Sequence, residues 1–219
     1  MGGRDPAFGH TLGKAAPNAG VMMGRPEWEK LLKFRCTGCG NCCKETFICV
    51  TDADVRRLAD GLKRPVESFI RFAREGEFTF GKRHGWWIKF ARRQGVMILR
   101  WKNRRCVFLD DADRCTAYAH RPLVCRSHPF EVTLTGEDTG GIEEIKLMKL
   151  TPCPHELDGH HTRREIGLLE RLHWRESGRY VDLVKRWNKR RTGRTPAAFL
   201  REVLAAGRVD DTQRRTSAT

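Results

Sequence analysis

The sequence predicts an α+β fold, with short helices around an antiparallel β meander and a helical C-terminal extension. Short aromatic and β-branched runs, separated by Gly and charges, fill the middle of the chain. Apolar residues recur at helical spacing on either side of them. Hydrophobic residues make up only 39% of the chain, so its nine cysteines are candidate cross-links for a small core.

The elements follow in order. Residues 1–25 read as a flexible leader. Pro26 to Phe34 predicts a short helix starting at a proline. It leads into FRCTGCGNCCKETFICV, too rich in Gly and Cys for a helix. Thr51 is the expected N-cap of DADVRRLADGL, with Asp54 near a capping box and Val55, Leu58 and Leu62 on one face. Pro65 is expected to start another helix, VESFIRFARE, whose Val66, Phe69, Ile70 and Phe72 offer apolar surface. Phe78–Phe80, Trp86–Phe90 and Val96–Trp101 read as strands, which Arg105–Leu109, Phe130–Leu134 and Ile142–Leu150 could extend. DDADRCTAYAHRPLVCRSHPF reads as a loop with one helical turn. After Gly159, helical spacing links Ile166, Leu169, Leu172, Leu183, Val184 and Trp187, with a break expected at Gly178. Pro196 is expected to open a last helix closed by Gly207. The domain reading is a leader at 1–25, a cysteine-bearing domain at 26–158, a basic helical extension at 159–207 and a disordered tail at 208–219.

Charge and leader composition bound the function. A balance of 42 Lys+Arg against 27 Asp+Glu gives +15, a surface that attracts phosphates, nucleic acid, acidic proteins or anionic lipid without choosing among them. No apolar run is long enough to span a membrane, and the first 25 residues lack the apolar stretch of a secretory signal. A cytoplasmic location is therefore expected. Thiols stay reduced there, so metal binding is favoured over disulfides.

The strongest chemical signal is Cys36-x2-Cys39-x2-Cys42-Cys43. Paired cysteines around a turn can aim both sulfurs at one metal, as zinc knuckles and iron–sulfur loops do. Gly38 and Gly40 permit the tight backbone, and neighbouring amides can hydrogen-bond thiolate sulfur. On an extended backbone, adjacent Cys42 and Cys43 would point to opposite sides. That reading implies two neighbouring sites, a cluster, or one non-ligand. Cys106, Cys115, Cys125 and Cys153 are the remaining candidate ligands, and their wider spacing requires a folded scaffold. Cys49, in the apolar run FICV, reads as a core residue.

These stretches resemble the YkgJ-type cysteine-cluster family, the zinc- or iron-chelating CxxCxxCC domain. FRCTGCGNCC at 34–43, VTDADVRRLA at 50–59, CVFLDDADRCTAYAHRPLVCRSHPF at 106–130 and Cys153-Pro154 carry the resemblance. It implies a small metal-stapled domain but no settled activity. Related clusters occur in flagellin lysine methylases, yet no glycine-rich adenosylmethionine loop is present here. Cys49 and the basic region after about residue 160 fall outside the resemblance. Tyr118, Arg121 and Pro122 match the family's Y-x-x-R-P element.

Arg121 is a candidate donor to an anionic thiolate cluster or partner of a carboxylate. His128 is expected beside the site rather than in it. His155, His160 and His161 read as a solvated helix start, and Trp86, Trp87 and Trp101 as core. Three functions compete. The favoured one is a metalloprotein holding iron–sulfur clusters or zinc, redox-active or accessory to a partner enzyme. The second is a zinc-stapled nucleic-acid-binding module using Lys185, Arg186, Lys189, Arg190 and Arg191. The third is a metalloenzyme of unknown reaction. Iron–sulfur is preferred over zinc because the C-x2-C-x2-C run matches ferredoxins.

Overall fold

The computed structural model describes residues 26–77, 85–135, 141–149 and 153–216. The expected leader and the expected strand Phe78–Phe80 lie outside these residues. Pro26 precedes a 3-10 helix, Glu27–Lys33, and the chain continues through β1 (Arg35–Cys36) and α1 (Cys42–Glu45). Next comes α2 (Asp52–Leu62), which opens on the expected capping box. Asp54 N–H donates to Thr51 Oγ1, and Asp54 Oδ2 accepts from Thr51 N–H. Such a cap is worth about 1 kcal/mol. Val55 and Leu58 are fully buried beneath it.

The helix expected over VESFIRFARE is corrected. Only Val66–Ser68 forms a 3-10 turn, and Ile70–Ala73 is a strand, β2. Periodicity cannot tell a short apolar run in a strand from one in a helix. Pairing settles the choice, because β2 lies antiparallel to β4 (Gln94–Leu99), with β3 (Ile88–Lys89) on the other edge. That register buries Ile70, Phe72 and Ala73 against the core. β5 (Trp101–Lys102) and β6 (Arg105–Cys106) form a small hairpin. A 3-10 turn, Tyr118–His120, and α3 (Leu123–Ser127) follow. β7 (Phe130–Thr135) pairs with β8 (Gly141–Leu147), and β9 (His155–Glu156) returns to β1. The fold is thus α+β with wholly antiparallel pairing, divided among small sheets.

The break expected at Gly178 is absent. α4 runs unbroken from Arg163 to Asn188, about 39 Å at 1.5 Å per residue. A Cβ at Gly178 would meet nothing within 4 Å, so this glycine only lowers propensity on an open face. Packing sustains the helix across two cores. Ile166 joins Leu31, Phe34, Phe130, Val132, Ile142 and Ile145 in the smaller core. Tyr180, Leu183, Val184 and Trp187 join the larger one with α2, β2 and β4. The end of α4 is pinned to β3 by Trp187 Nε1 donating to Lys89 O at 3.0 Å and Asn188 Nδ2 to Trp87 O at 2.8 Å. α5 (Pro196–Thr216) adds Phe199, Leu200 and Val203 to that core and continues past Gly207 instead of closing there. No described helix is long and apolar enough to cross a membrane.

Candidate metal centre

The first cysteine loop is shaped by glycine. Gly38 and Gly40 both have φ of +71°, a conformation costly for other residues. The turn brings the Gly38 amide within 3.4 Å of Cys36 Sγ, the amide–sulfur bond expected there. At Gly40 a Cβ would sit 3.2 Å from both Cβ and O of Asp113, so the second cysteine loop packs directly on the first. Lys44 closes the joint with an ion pair to Asp113 at 2.7 Å.

Cys42 and Cys43 correct the reading of their adjacency. They open α1 and are not extended. Neighbouring side chains on a helical turn diverge by about 100°, not 180°. Their sulfurs lie 4.0 Å apart. The edge of a tetrahedron with metal–sulfur bonds of about 2.3 Å is about 3.8 Å. The two thiols are therefore close enough to serve one centre, and adjacency alone does not require two.

The later cysteines arrive from three further segments. Cys106 lies on β6, is 2% exposed, and belongs to the same buried core as Cys43. Cys115 follows a tight loop in which Asp110 Oδ1 accepts from the amides of Ala112 and Arg114. Cys125 sits on α3, whose first amide, Leu123 N–H, donates to buried Asp54 Oδ1 at 2.9 Å. These three, with Cys36, Cys42 and Cys43, line one cavity of about 440 Å³. Phe47, Ile48, Leu99 and Phe108 supply an apolar wall.

Cys39 and Cys153 are not on that wall. Cys153 is brought up by the β1–β9 pairing, which sets Cys36 opposite His155. His155 Nδ1 hydrogen-bonds with Cys153 O at 2.8 Å, and Thr37 Oγ1 donates to Pro154 O at 2.8 Å. Arg35 Nε and Nη2 hold both carboxylate oxygens of Asp158 outside the pair. Gly159 allows the close crossing, since a Cβ there would lie 2.4 Å from Phe34 O.

Burial and mutual contact raise the pKa of four of these thiols. Cys43 is pushed up to about 12 by its hydrogen bond with Cys106, opposed by the one with Cys42 and reinforced by burial. Burial raises Cys125 well above the ordinary thiol range, with added repulsion from Cys43 and Cys42. Cys153 is pushed up to about 11 by burial and then by Cys39, Cys36 and Cys42. Burial also raises Cys115, while the Ala117 amide and the Arg121 guanidinium pull it back. Bound cations reverse this preference, because a coordinating thiol deprotonates. Cys49 stays apart, buried in the core in a bridge with Ile98, its thiol raised by desolvation.

Among the described residues, no three His, Cys, Asp or Glu side chains stand in an arrangement that could hold an ion as they are placed. The donor set nevertheless fits a thiophilic centre. The cavity wall is sulfur-rich, and soft thiolate ligands select zinc, Cu(I) or iron–sulfur clusters. Bound there, an iron–sulfur cluster would supply electron transfer, and zinc a structural cross-link.

Tyr118 is 59% exposed at the cavity, with the Arg121 guanidinium 3.5 Å from its ring centroid. Arg121 thus reaches the thiols electrostatically without a described carboxylate partner. His128 lines the same cavity, and its buried Nε2 has no hydrogen-bond partner among the described residues. Burial lowers its pKa, favouring neutral imidazole. His155 stacks on Phe34 rather than facing solvent, and His161 meets the edge of Phe130. Trp86 and Trp87 are core residues, and half-buried Trp101 packs on Phe47. Lys185, Arg186, Lys189, Arg190 and Arg191 lie at or just beyond the end of α4. Lys185 pairs with Asp182 and Arg190 with Glu202.

Sequence reasoning missed Asp54 as a support of the site. Its capping-box spacing is visible, but its bond to Leu123 N–H comes from a distant segment. It also missed the apolar wall of Phe47 and Phe108, which carries no motif.

Comparison with known proteins agrees with this chemistry. The uncharacterized protein MJ0661 of Methanocaldococcus jannaschii is 28% identical over 103 residues, 46% of this chain and 47% of the relative. This chain therefore matches about half the length of that protein. No solved structure matches. A family profile, described as "CxxCxxCC: Putative zinc- or iron-chelating domain", matches residues 35–154, from the start of β1 to the residue before β9. With its cysteine loops inside that span, the chain belongs to the CxxCxxCC family of zinc- or iron-chelating domains.

Proposed function

We propose that this protein uses its cysteines to hold an iron–sulfur centre, and that it carries electrons or serves as a metal-bearing accessory to a partner enzyme. The observation that carries the reading is the convergence of six cysteines from four segments on one cavity of about 440 Å³. The C-x2-C-x2-C run, with further thiols on the same wall, favours a cluster over one zinc ion. Its apolar wall would keep water from the centre and so tune its potential. Arg121 offsets the negative charge of the thiolates, and His128 offers a neutral ring nitrogen beside them.

The test is anaerobic purification of the full chain with iron, sulfide and zinc analysis and visible absorption. The reading expects iron with matching sulfide and a brown chromophore that bleaches on reduction. Colourless protein holding zinc alone would replace iron–sulfur with a zinc staple. Protein that stays free of metal after reconstitution would overturn metal binding itself.

A further inference from the structure

We propose that this protein carries a second functional surface, separate from the cysteines, that binds the phosphate backbone of duplex nucleic acid. It is built where the turn between β3 and β4 meets the connection between α4 and α5. It does not depend on the metal reading.

Neither segment holds a carboxylate. Residues 185–194 carry six cations, and residues 89–93 carry three more. The two are distant in sequence, but hydrogen bonds clamp them side by side. Ala91 N–H donates to Arg194 O at 3.0 Å, and Lys89 N–H to Asn188 Oδ1 at 2.7 Å. Trp187 Nε1 returns a bond to Lys89 O at 3.0 Å. The turn itself is closed by Phe90 N–H donating to Arg93 O at 2.7 Å. Beneath them Phe90 and Trp187 both pack on buried Phe199. That burial offsets the repulsion of the like charges above it. Such a gathering of cations draws in polyanions.

The cations divide by their partners. Lys185 pairs with Asp182 and Arg190 with Glu202. Arg93 donates to Phe72 O, and Arg186 shares a cleft with Asp52, Glu176 and Asp182. Lys89, Arg92, Lys189, Arg191 and Arg194 remain. None of them has a carboxylate partner among the described residues. All but half-buried Arg194 are exposed.

The apolar residues decide the class of partner. Phe90 and Trp187 are buried, so neither segment offers a large side chain to insert into a lipid surface. The apolar centre of a protein interface is missing for the same reason. Nor is an aromatic face presented on which unpaired bases could stack. What remains is a set of cations, three of them guanidinium forks that match phosphate oxygens. A duplex offers closely spaced phosphates and needs neither insertion nor stacking. None of the five cations lines the cysteine cavity, and the α4–α5 connection lies outside the family match.

The experiment follows the fluorescence anisotropy of a labelled DNA duplex of about 20 base pairs with the reduced full chain, from about 50 to about 300 mM salt. Five phosphate contacts predict a log–log slope of about −4.5. Two double variants divide the surface: Lys89→Gln with Arg92→Gln in the turn, and Lys189→Gln with Arg191→Gln in the connection. Each should weaken binding about tenfold and lower the magnitude of the slope by about 2. Lys33→Gln with Arg164→Gln removes the same charge from exposed positions beside the smaller core. It should change affinity less than about twofold. Circular dichroism of all three variants should match wild type. No duplex binding at about 50 mM salt, an unaffected turn variant, or a control as weak as the other two would overturn the proposal. So would tighter binding to phosphatidylserine vesicles or to one strand of the same duplex. Metal content is measured on the same samples, so failure of the metal reading and failure of this one are told apart.

Discussion

Cys106 and Cys153 carry the same thiol, but their settings differ. Cys106 lies on β6 at 2% exposure, in the main core with Cys43. Cys153 lies half-buried beside a two-residue strand whose outer tie is an exposed ion pair. The first is buried within the main core, and the second packs half-buried against the smaller one. Identical ligands are thereby given different accessibility by the backbone around them. The difference can be sharpened or broken at several points.

The largest expected effect is on pH. With Cys43 at about 12 and Cys153 at about 11, these thiols are protonated in the free protein near neutrality. Metal binding must displace those protons, so affinity rises with pH. Each displaced proton contributes about tenfold per pH unit. Competition titrations between about pH 6 and 8 should show affinity rising with pH throughout. A plateau in that range would show that the thiols are already ionised.

Asp54→Ala comes next and is directed at the wall that carries Cys125. Its carboxylate accepts from Thr51 N–H, Thr51 Oγ1, Arg57 Nη1 and Leu123 N–H. Removing it leaves buried donors unpaired, at a cost of about 3 kcal/mol in denaturant unfolding. Metal affinity should weaken with it. Gly159→Ala is directed at the β1–β9 pairing beside Cys153. Its Cβ would meet the Phe34 carbonyl at 2.4 Å, and backbone cannot swing aside as a side chain can. A loss of about 2 kcal/mol is expected, with metal content lowered, read by unfolding and metal analysis.

Gly38→Ala and Gly40→Ala separate backbone strain from packing. Both positions have φ of +71°, so each costs about 1 kcal/mol. Gly40 alone presses on Asp113, whereas nothing lies within 4 Å of a Cβ at Gly38. The Gly40 variant should therefore melt lower. The smallest effect is expected for Lys185→Gln with Arg190→Gln. These residues pair on the surface with Asp182 and Glu202, and stability should stay within about 0.5 kcal/mol with metal unchanged. A loss of salt-dependent nucleic-acid binding in this variant would extend the basic surface to these paired residues.

Much of this was legible in the sequence where the signal is local. The capping box at Thr51 and Asp54, the positive-φ role of Gly38 and Gly40, and the core position of Cys49 each depend on a few adjacent residues. What escaped depends on distant partners. Ile70–Ala73 is a strand because β4 lies beside it, and α4 passes Gly178 because two cores hold its ends. The relation of Cys42 to Cys43 depended on a backbone state that spacing does not encode. The convergence of Cys106, Cys115 and Cys125 required the Asp110 loop and the Asp54 contact, neither of which has a cysteine signature.

The central claim is that these cysteines hold metal, and native mass spectrometry of the anaerobically purified full chain tests it most directly. The account predicts a mass above that of the bare chain by bound iron and sulfide, or by zinc, with the increment lost on acidification. A bare-chain mass that persists after anaerobic reconstitution with iron, sulfide or zinc would contradict it.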